Sequence, residues 1–400
     1  MSRILFVASR FPHPPFRGDI VRTLQQIRRL GAKFDITLVA PEPPVPISLA
    51  DAGIEGLCTL VPVRLRGWDR FLNLGAFIRD RLPIQAAAFY SVSYGRAVAS
   101  ELSRQHFDLV HIQMVRIGPV LEVVHGIPVV LDMIDTASLN MERRAARESL
   151  PMRALLAWEA RRLKAYERHL AGRCARVVVS SPADCEALGV ADRARVVPFG
   201  IDLRLLPFVE MDREEGEIVF TGRMGYFPNA DAAVFFANEV FPLVRRMLRA
   251  ARFTIVGIDP SARVRALGML PGVKVLADPD VRRYLERASV AVAPLRSGTG
   301  LQIKVLEAMA KGAPVVATPI VAPAIAAEDG KHWLLAESAA DLADKVVFLL
   351  RNKRFAREMA RQARRFVETR FAQDFVVDQM GAIWEETIDA GGRESFQKMN

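Results

Sequence analysis

Cysteine is scarce: Cys58, Cys174 and Cys185 are the only three in 400 residues. An odd number, widely spaced and in apolar surroundings, argues against a disulfide framework and for reduced core residues, so a cytoplasmic chain is expected. Long apolar runs are also missing. No stretch of about eighteen apolar residues occurs, and the run in MSRILFVASRF stops at Ser9 and Arg10, too short for a signal-peptide core. The 6 histidines and 3 cysteines form no cluster with metal-ligand spacing. No internal repeat and no low-complexity segment is evident.

What is present is an ordinary globular composition, 51% hydrophobic and 25% charged, in a chain long enough for two domains. The net charge of +10 is uneven. Residues 1–200 hold 27 Lys+Arg against 19 Asp+Glu, whereas residues 201–400 hold 28 against 26. The basic first half would attract nucleic acid, an anionic membrane or a phosphorylated substrate. Nucleic acid is not expected, because no binding module or repeated aromatic and basic platform appears.

Short β-rich runs alternate with helical spacing in both halves. RILFVAS, FDITLVA, FDLVHIQ, IPVVLDM and ARVVVSS lie in the first, and EIVFTG, ARFTIVG, GVKVL, SVAVAPL, APVVAT and HWLLA in the second. Continuous apolar strands separated by helices predict parallel sheets covered on both faces. The expected architecture is therefore α/β, two doubly wound Rossmann-like domains facing across a cleft. Ligands in such sheets sit at the carboxyl ends of strands. The expected boundaries are 1–198, 199–372 and a helical tail 373–400 that packs back towards the N-terminal domain. The hinge is placed in RVVPFGIDLRLLPFVEMDREEGE.

The stretch GTGLQIKVLEAMAKGAPVVA, residues 298–317, runs a Gly-rich turn into a helix. Such a turn offers unpaired N–H groups and a positive dipole end to phosphate. Lys304 lies where an ammonium can reach an oxyanion, and Glu307, one turn on, suits vicinal hydroxyls such as a ribose. The alternative is a solvated i,i+3 ion pair, and spacing alone leaves both open.

The segment Leu306-Glu307-Ala308-Met309-Ala310, followed by Gly312 and Pro314-Val315-Val316, resembles the C-terminal signature of GT-B-fold, nucleotide-sugar-dependent glycosyltransferases of family four, the retaining group. The combination with the Gly-rich turn and Gln302-x-Lys304 is similar to the branch associated with exopolysaccharide and protein-sorting clusters. The resemblance implies that Glu307 holds the donor ribose. It also implies that backbone N–H groups around Gly298, Thr299, Gly300 and Leu301 meet the diphosphate or sugar. The family's first signature Glu falls on Thr299, so donor-sugar recognition departs from the standard pattern.

In EIVFTGRMGYF, Gly222-Arg223 matches the family's Gly-Arg that supplies a cation to the diphosphate. The lysine usual a few residues later is replaced by Phe227, Pro228 and Asn229, so Lys304 is expected to provide that charge. A surface salt bridge is the ordinary alternative for Arg223. Gly18-Asp19, opening a helix after the first strand, matches the family's glycine-rich loop beside donor phosphates and acceptor; Asp19 reads equally as an N-cap. Asp135 matches the Asp of the family's His-Asp strand end, with Ile134 in place of His, and is expected at the catalytic site, a cap of the next helix being the alternative. Arg22 and His111 are candidates for acceptor contacts, His111 reading equally as a core histidine.

Two further stretches are basic. RLRGWDRFLNLGAFIRDRLP (64–83) has the pattern of an amphipathic interfacial helix, or of a core helix with a solvated basic face. ERRAARESLPMRALLAWEARRLKAYERHL reads as a solvated helix pair broken at Pro151. The function implied is transfer of a sugar from a nucleoside-diphosphate sugar to a saccharide acceptor, lipid-linked or a surface-polysaccharide precursor. No metal and no cofactor beyond the donor substrate are expected, and the place is the inner face of the plasma membrane. A sugar-nucleotide 2-epimerase and a non-catalytic nucleotide-binding subunit share the fold and remain alternatives.

Overall fold

The computed structural model describes the chain except at residues 16, 44, 66–81, 147, 191, 211–212, 299 and 400. It divides into two compact units, Met1–Gly200 with Asp374–Asn400, and Ile201–Gln373. Each is a parallel sheet with helices on its faces.

Unit 1 holds β1 (Arg3–Ala8), β2 (Asp35–Pro41), β3 (Thr59–Val63), β4 (Leu109–Gln113), β5 (Val129–Ile134), β6 (Arg176–Val179) and β7 (Ala194–Val196). Their order is β3-β2-β1-β4-β5-β6-β7, every neighbouring pair parallel. The apolar runs bury both faces of each central strand, as a helix-covered parallel sheet requires. Leu5 and Val7 enter one core with Val98, Ile117 and Leu170, while Ile4 and Phe6 enter another with Leu24 and Ile27. The long helix Gln373–Met399 supplies Val376, Met380 and Trp384 to that second core. β3 and β7, the two edge strands, were not among the strand runs expected from sequence.

Unit 2 holds β8 (Glu217–Thr221), β9 (Arg252–Val256), β10 (Val273–Leu276), β11 (Val290–Ala293), β12 (Val315–Ala317) and β13 (Leu334–Leu335). The order β10-β9-β8-β11-β12-β13 is again wholly parallel. In both units the chain builds outwards from its first strand to one side and then returns to the other. That reversal opens a crevice at the carboxyl ends of β1 and β4 in unit 1, and of β8 and β11 in unit 2.

The helix pair around Pro151 forms as Ala137–Ala145 and Met152–Arg173. It is less solvated than its mixed charges suggest. Glu159 and Glu167 are buried, and Glu167 accepts from the backbone N–H and hydroxyl of Ser138 at 3.1 and 2.6 Å.

Candidate functional site

In unit 2 the crevice is built on backbone contacts that only glycine permits. Gly222 follows β8 with φ 150°, and a Cβ there would lie 2.8 Å from Asn229 Nδ2 and 3.1 Å from Lys304 Cε. Gly257 follows β9 with φ 149°, and its Cβ would fall 1.8 Å from the Gly222 carbonyl oxygen. These two turns therefore pack main chain on main chain. Next to them, Arg223 donates through Nε to Asp259 at 3.0 Å and approaches the same carboxylate through a terminal nitrogen at 2.8 Å. Its guanidinium remains about a third exposed, with 36% of the side chain open to solvent.

β11 leads into the Gly-rich turn, where Gly298 and Gly300 take φ of 114° and 71°. Thr299 lies outside the described residues. Leu301 buries its side chain, and the helix Ile303–Lys311 then begins. Lys304 sends its ammonium back over the start of that helix. It donates to Asn229 Oδ1 at 2.8 Å and to Gln302 Oε1 at 3.0 Å, with the Phe220 ring centroid 5.9 Å away. Asn229 in turn donates to the Arg223 carbonyl at 3.0 Å. One amide side chain thus ties the Gly222-Arg223 turn to the Gly-rich turn. Lys304 delivers a cation to Asn229, within the segment where the family resemblance leads one to expect a lysine.

Lys304 and Glu307 do not form the solvated ion pair that their spacing allows. The ammonium is held by two amide oxygens, and both side chains are half-buried. Burial lowers the Lys304 pKa from 10.5 to about 8, opposed by Glu307. Burial raises that of Glu307 from 4.5 to about 7, opposed by Lys304 and Arg282. For both groups burial outweighs their mutual attraction, so neither charge is fully stabilised in the free protein.

Among the described residues, no group of three His, Cys, Asp or Glu side chains converges in a way that would hold a metal ion. The two carboxylates of Asp278-Pro279-Asp280 are occupied by their neighbours: Asp278 binds Arg283 and Tyr284, and Asp280 binds Arg282 at 2.7 Å.

Unit 1 corrects two of the sequence readings and decides a third. Asp19 is not an N-cap. The helix Gly18–Leu30 is preceded by Arg17 in the cap position, and the Asp19 carboxylate is paired with Arg10. Arg22 is not open to an acceptor. It is buried, donating through Nε to Asp132 at 2.6 Å and through a terminal nitrogen to the carbonyls of Val197 and Pro198 at 2.9 Å each. His111 is fully buried and receives the Trp384 indole N–H on Nδ1 at 3.1 Å. Burial lowers its pKa from 6.5 to about 4, so it is a neutral core residue and makes no acceptor contact.

Asp135 stands at the end of β5 and accepts from the Ser180 hydroxyl at 2.9 Å. Burial, reinforced by Asp184, raises its pKa from 3.8 to about 7. The preceding Ile134 is held at φ 65°, a conformation a β-branched residue rarely adopts, and its carbonyl accepts from the Ser180 N–H at 2.7 Å. Gly18 opens its helix beside Asp19. Gln302 and Asn229 were noted in sequence without a site role, and Gly257 and Asp259 were missed. Gly257 carried a local signal, a glycine directly after the strand run ARFTIVG.

Two parallel-sheet Rossmann-like units with these strand orders are the GT-B fold of glycosyltransferase structures. More particularly, residues 215–352 match the family described as Glycosyl transferases group 1, so unit 2 carries a glycosyltransferase group 1 domain. No curated protein matches the chain in sequence. Sucrose-phosphate synthase from Thermosynechococcus elongatus is similar in structure at a TM-score of 0.73 and 17% identity, over 98% of this chain and 100% of that one. Anabaena HepE in complex with UDP and glucose aligns at 0.65 and 13% identity, over 96% and 100%. TarM aligns at 0.68 and 12%, over 96% and 99%. At these identities the likeness is one of fold.

Proposed function

We propose that the protein transfers a sugar from a nucleoside-diphosphate sugar to a saccharide acceptor, with retention of configuration and without a metal ion. The observation that carries this reading is the placement of Lys304. It is a half-buried ammonium hydrogen-bonded to two amide oxygens, set between the Gly222-Arg223 turn and the Gly-rich turn at the reversal point of a group 1 domain. A diphosphate there would meet Lys304, Arg223 released from Asp259, and the N–H groups of Gly300 and Leu301, with Gly222 allowing close backbone approach. Charge-assisted hydrogen bonds of this kind contribute about 1.5–3 kcal/mol each. Glu307 would accept from the two ribose hydroxyls. The structures of HepE with UDP and glucose support a nucleotide sugar as the donor class.

In the proposed reaction the bond from the anomeric carbon to the diphosphate breaks, and the acceptor oxygen bonds to that carbon on the same face. The acceptor proton passes to the departing phosphate oxygen. Lys304, Arg223 and the turn amides stabilise the charge that develops there, a preorganised electrostatic contribution. Asp135 is proposed as a catalytic residue contributed by unit 1. The acceptor is proposed to be lipid-linked, with residues 64–83 resting on an anionic membrane at its inner face. Most of that segment lies outside the described residues, and no helix among the described residues is long and apolar enough to cross a membrane.

Thermal unfolding against UDP-, GDP-, ADP- and dTDP-sugars tests the reading. A ligand at about 100 times its Kd adds about 2.7 kcal/mol. One donor should raise the wild-type midpoint and leave Glu307→Ala unmoved. No shift with any nucleotide would remove the proposal, and the anomer of the product, read by proton NMR, tests retention.

A further inference from the structure

Unit 1 has a crevice of its own at the carboxyl ends of β1 and β4, and it is lined by arginine. Arg10, just past β1, and Arg116, just past β4, both face the single carboxylate of Asp19 in the first turn of the helix Gly18–Leu30. Arg116 approaches it at 3.7 Å. Both guanidinium groups lie over the same Phe89 ring, 5.4 and 4.6 Å from its centroid. Arg17, the cap residue of that helix, adds a third positive charge acting on Arg116. One carboxylate thus faces two guanidinium groups, and Arg116 is the more buried of the two.

The excess charge is not dispersed into water. The Arg116 side chain is only 12% exposed, and its Nε is buried with no hydrogen-bond partner among the described residues. The hydroxyl of Ser9, beside Arg10 and also buried, has none either. Burial, with Arg10 adding to it, lowers the Arg116 pKa from 12.5 to about 10, opposed by Asp19. Met114, two residues before Arg116, is held at φ 78°, the kind of backbone strain that collects at ligand sites. A buried positive charge with unfilled donors is unfavourable until an anion arrives. Planar guanidinium groups converging beside a helix N-terminus match the oxygens of a phosphoryl group.

We propose that Arg10 and Arg116 form a phosphoryl-binding subsite of unit 1, filled by a phosphate group of the acceptor and, in its absence, closed by Asp19 as an internal counter-ion. This assignment rests on the sugar-transfer reading for the word acceptor; the anion site itself does not.

Calorimetry of the full chain with inorganic phosphate, in the presence of saturating UDP to fill any site in unit 2, tests it. Arg10→Gln and Arg116→Gln should weaken phosphate binding about tenfold or more while leaving UDP binding unchanged. Asp19→Asn should tighten it, a gain that misfolding cannot imitate. A hexose phosphate binding more tightly than phosphate would identify a soluble phosphosugar. Sedimentation with phosphatidic acid vesicles that is lost in Arg116→Gln would identify a lipid phosphate. Phosphate binding that is undetectable, or equal in wild type and all three variants, would overturn the subsite. Failure of wild type to bind UDP, GDP, ADP or dTDP while phosphate binding follows the expected pattern would instead overturn the donor reading alone.

Discussion

Replacing Glu307 with Gln separates a carboxylate placed for a ligand from one placed for stability. In the free protein the Glu307 pKa stands at about 7 against an ordinary value of 4.5, chiefly through burial. At about 1.4 kcal/mol per unit the ionised form is disfavoured by about 3 kcal/mol. Solvent still touching the half-buried side chain reduces that to about 2 kcal/mol. The attraction to Lys304 is already inside the net shift. Because the folded-state value is raised, this group's favourable contribution is complete below about pH 4.5 and is lost as pH rises through about 7.

Glu307→Gln removes that loss. The variant should unfold close to wild type at about pH 5 and at a higher temperature at about pH 8, by about 4–8 °C for a unit of this size. With the donor nucleotide at saturation the order should reverse, since only wild type gains from the ligand. Differential scanning calorimetry at both pH values, with and without nucleotide, measures all four conditions. A variant no more stable than wild type at about pH 8, or an advantage independent of pH, would refute the reasoning.

Three other outcomes are expected. Gly257→Ala should cost about 3 kcal/mol or more, because its Cβ would strike the Gly222 carbonyl at 1.8 Å; urea unfolding showing wild-type stability would deny the contact between the two turns. Trp384→Ala should cost about 3–5 kcal/mol through the lost packing on Phe6, Phe34 and His111, and unchanged calorimetric stability would mean that the last helix does not seat on the sheet. Lys304 has a lowered pKa, present as favourable stability above about 10.5 and lost as pH falls through about 8. Donor affinity, which needs the ammonium charged and Glu307 ionised, should therefore peak between about pH 7 and 8, and a flat calorimetric profile from about pH 6 to 9 would count against both roles.

The central strands were legible in the sequence because a strand buried on both faces must be apolar at every position. RILFVAS and SVAVAPL can hardly be anything else once helical segments flank them. The edge strands β3 and β7 escaped because an edge is covered on fewer sides. It tolerates Pro62 and shortens to three residues at Ala194–Val196. The Gly-rich turn with Lys304 and Glu307 was visible because turn, helix start and charged pair lie within ten residues of one another.

Residues whose meaning depends on distant partners were misread, left open or missed. Arg22 looked available one turn into a helix, but the sheet brings Asp132 to it across 110 positions. His111 sits at a strand's carboxyl end, yet the last helix caps it with Trp384 from 273 positions away. Gly257 matters only because β9 lies beside β8, and the pairing of Arg10 and Arg116 over Phe89 requires β1 and β4 to be neighbours. The sequence by itself determined the two parallel sheets and the phosphate-type turn, since periodicity and local turn chemistry act over a few residues. Tertiary structure decided which charges are satisfied and which are left waiting, because burial and strand order bring together groups that no local pattern relates.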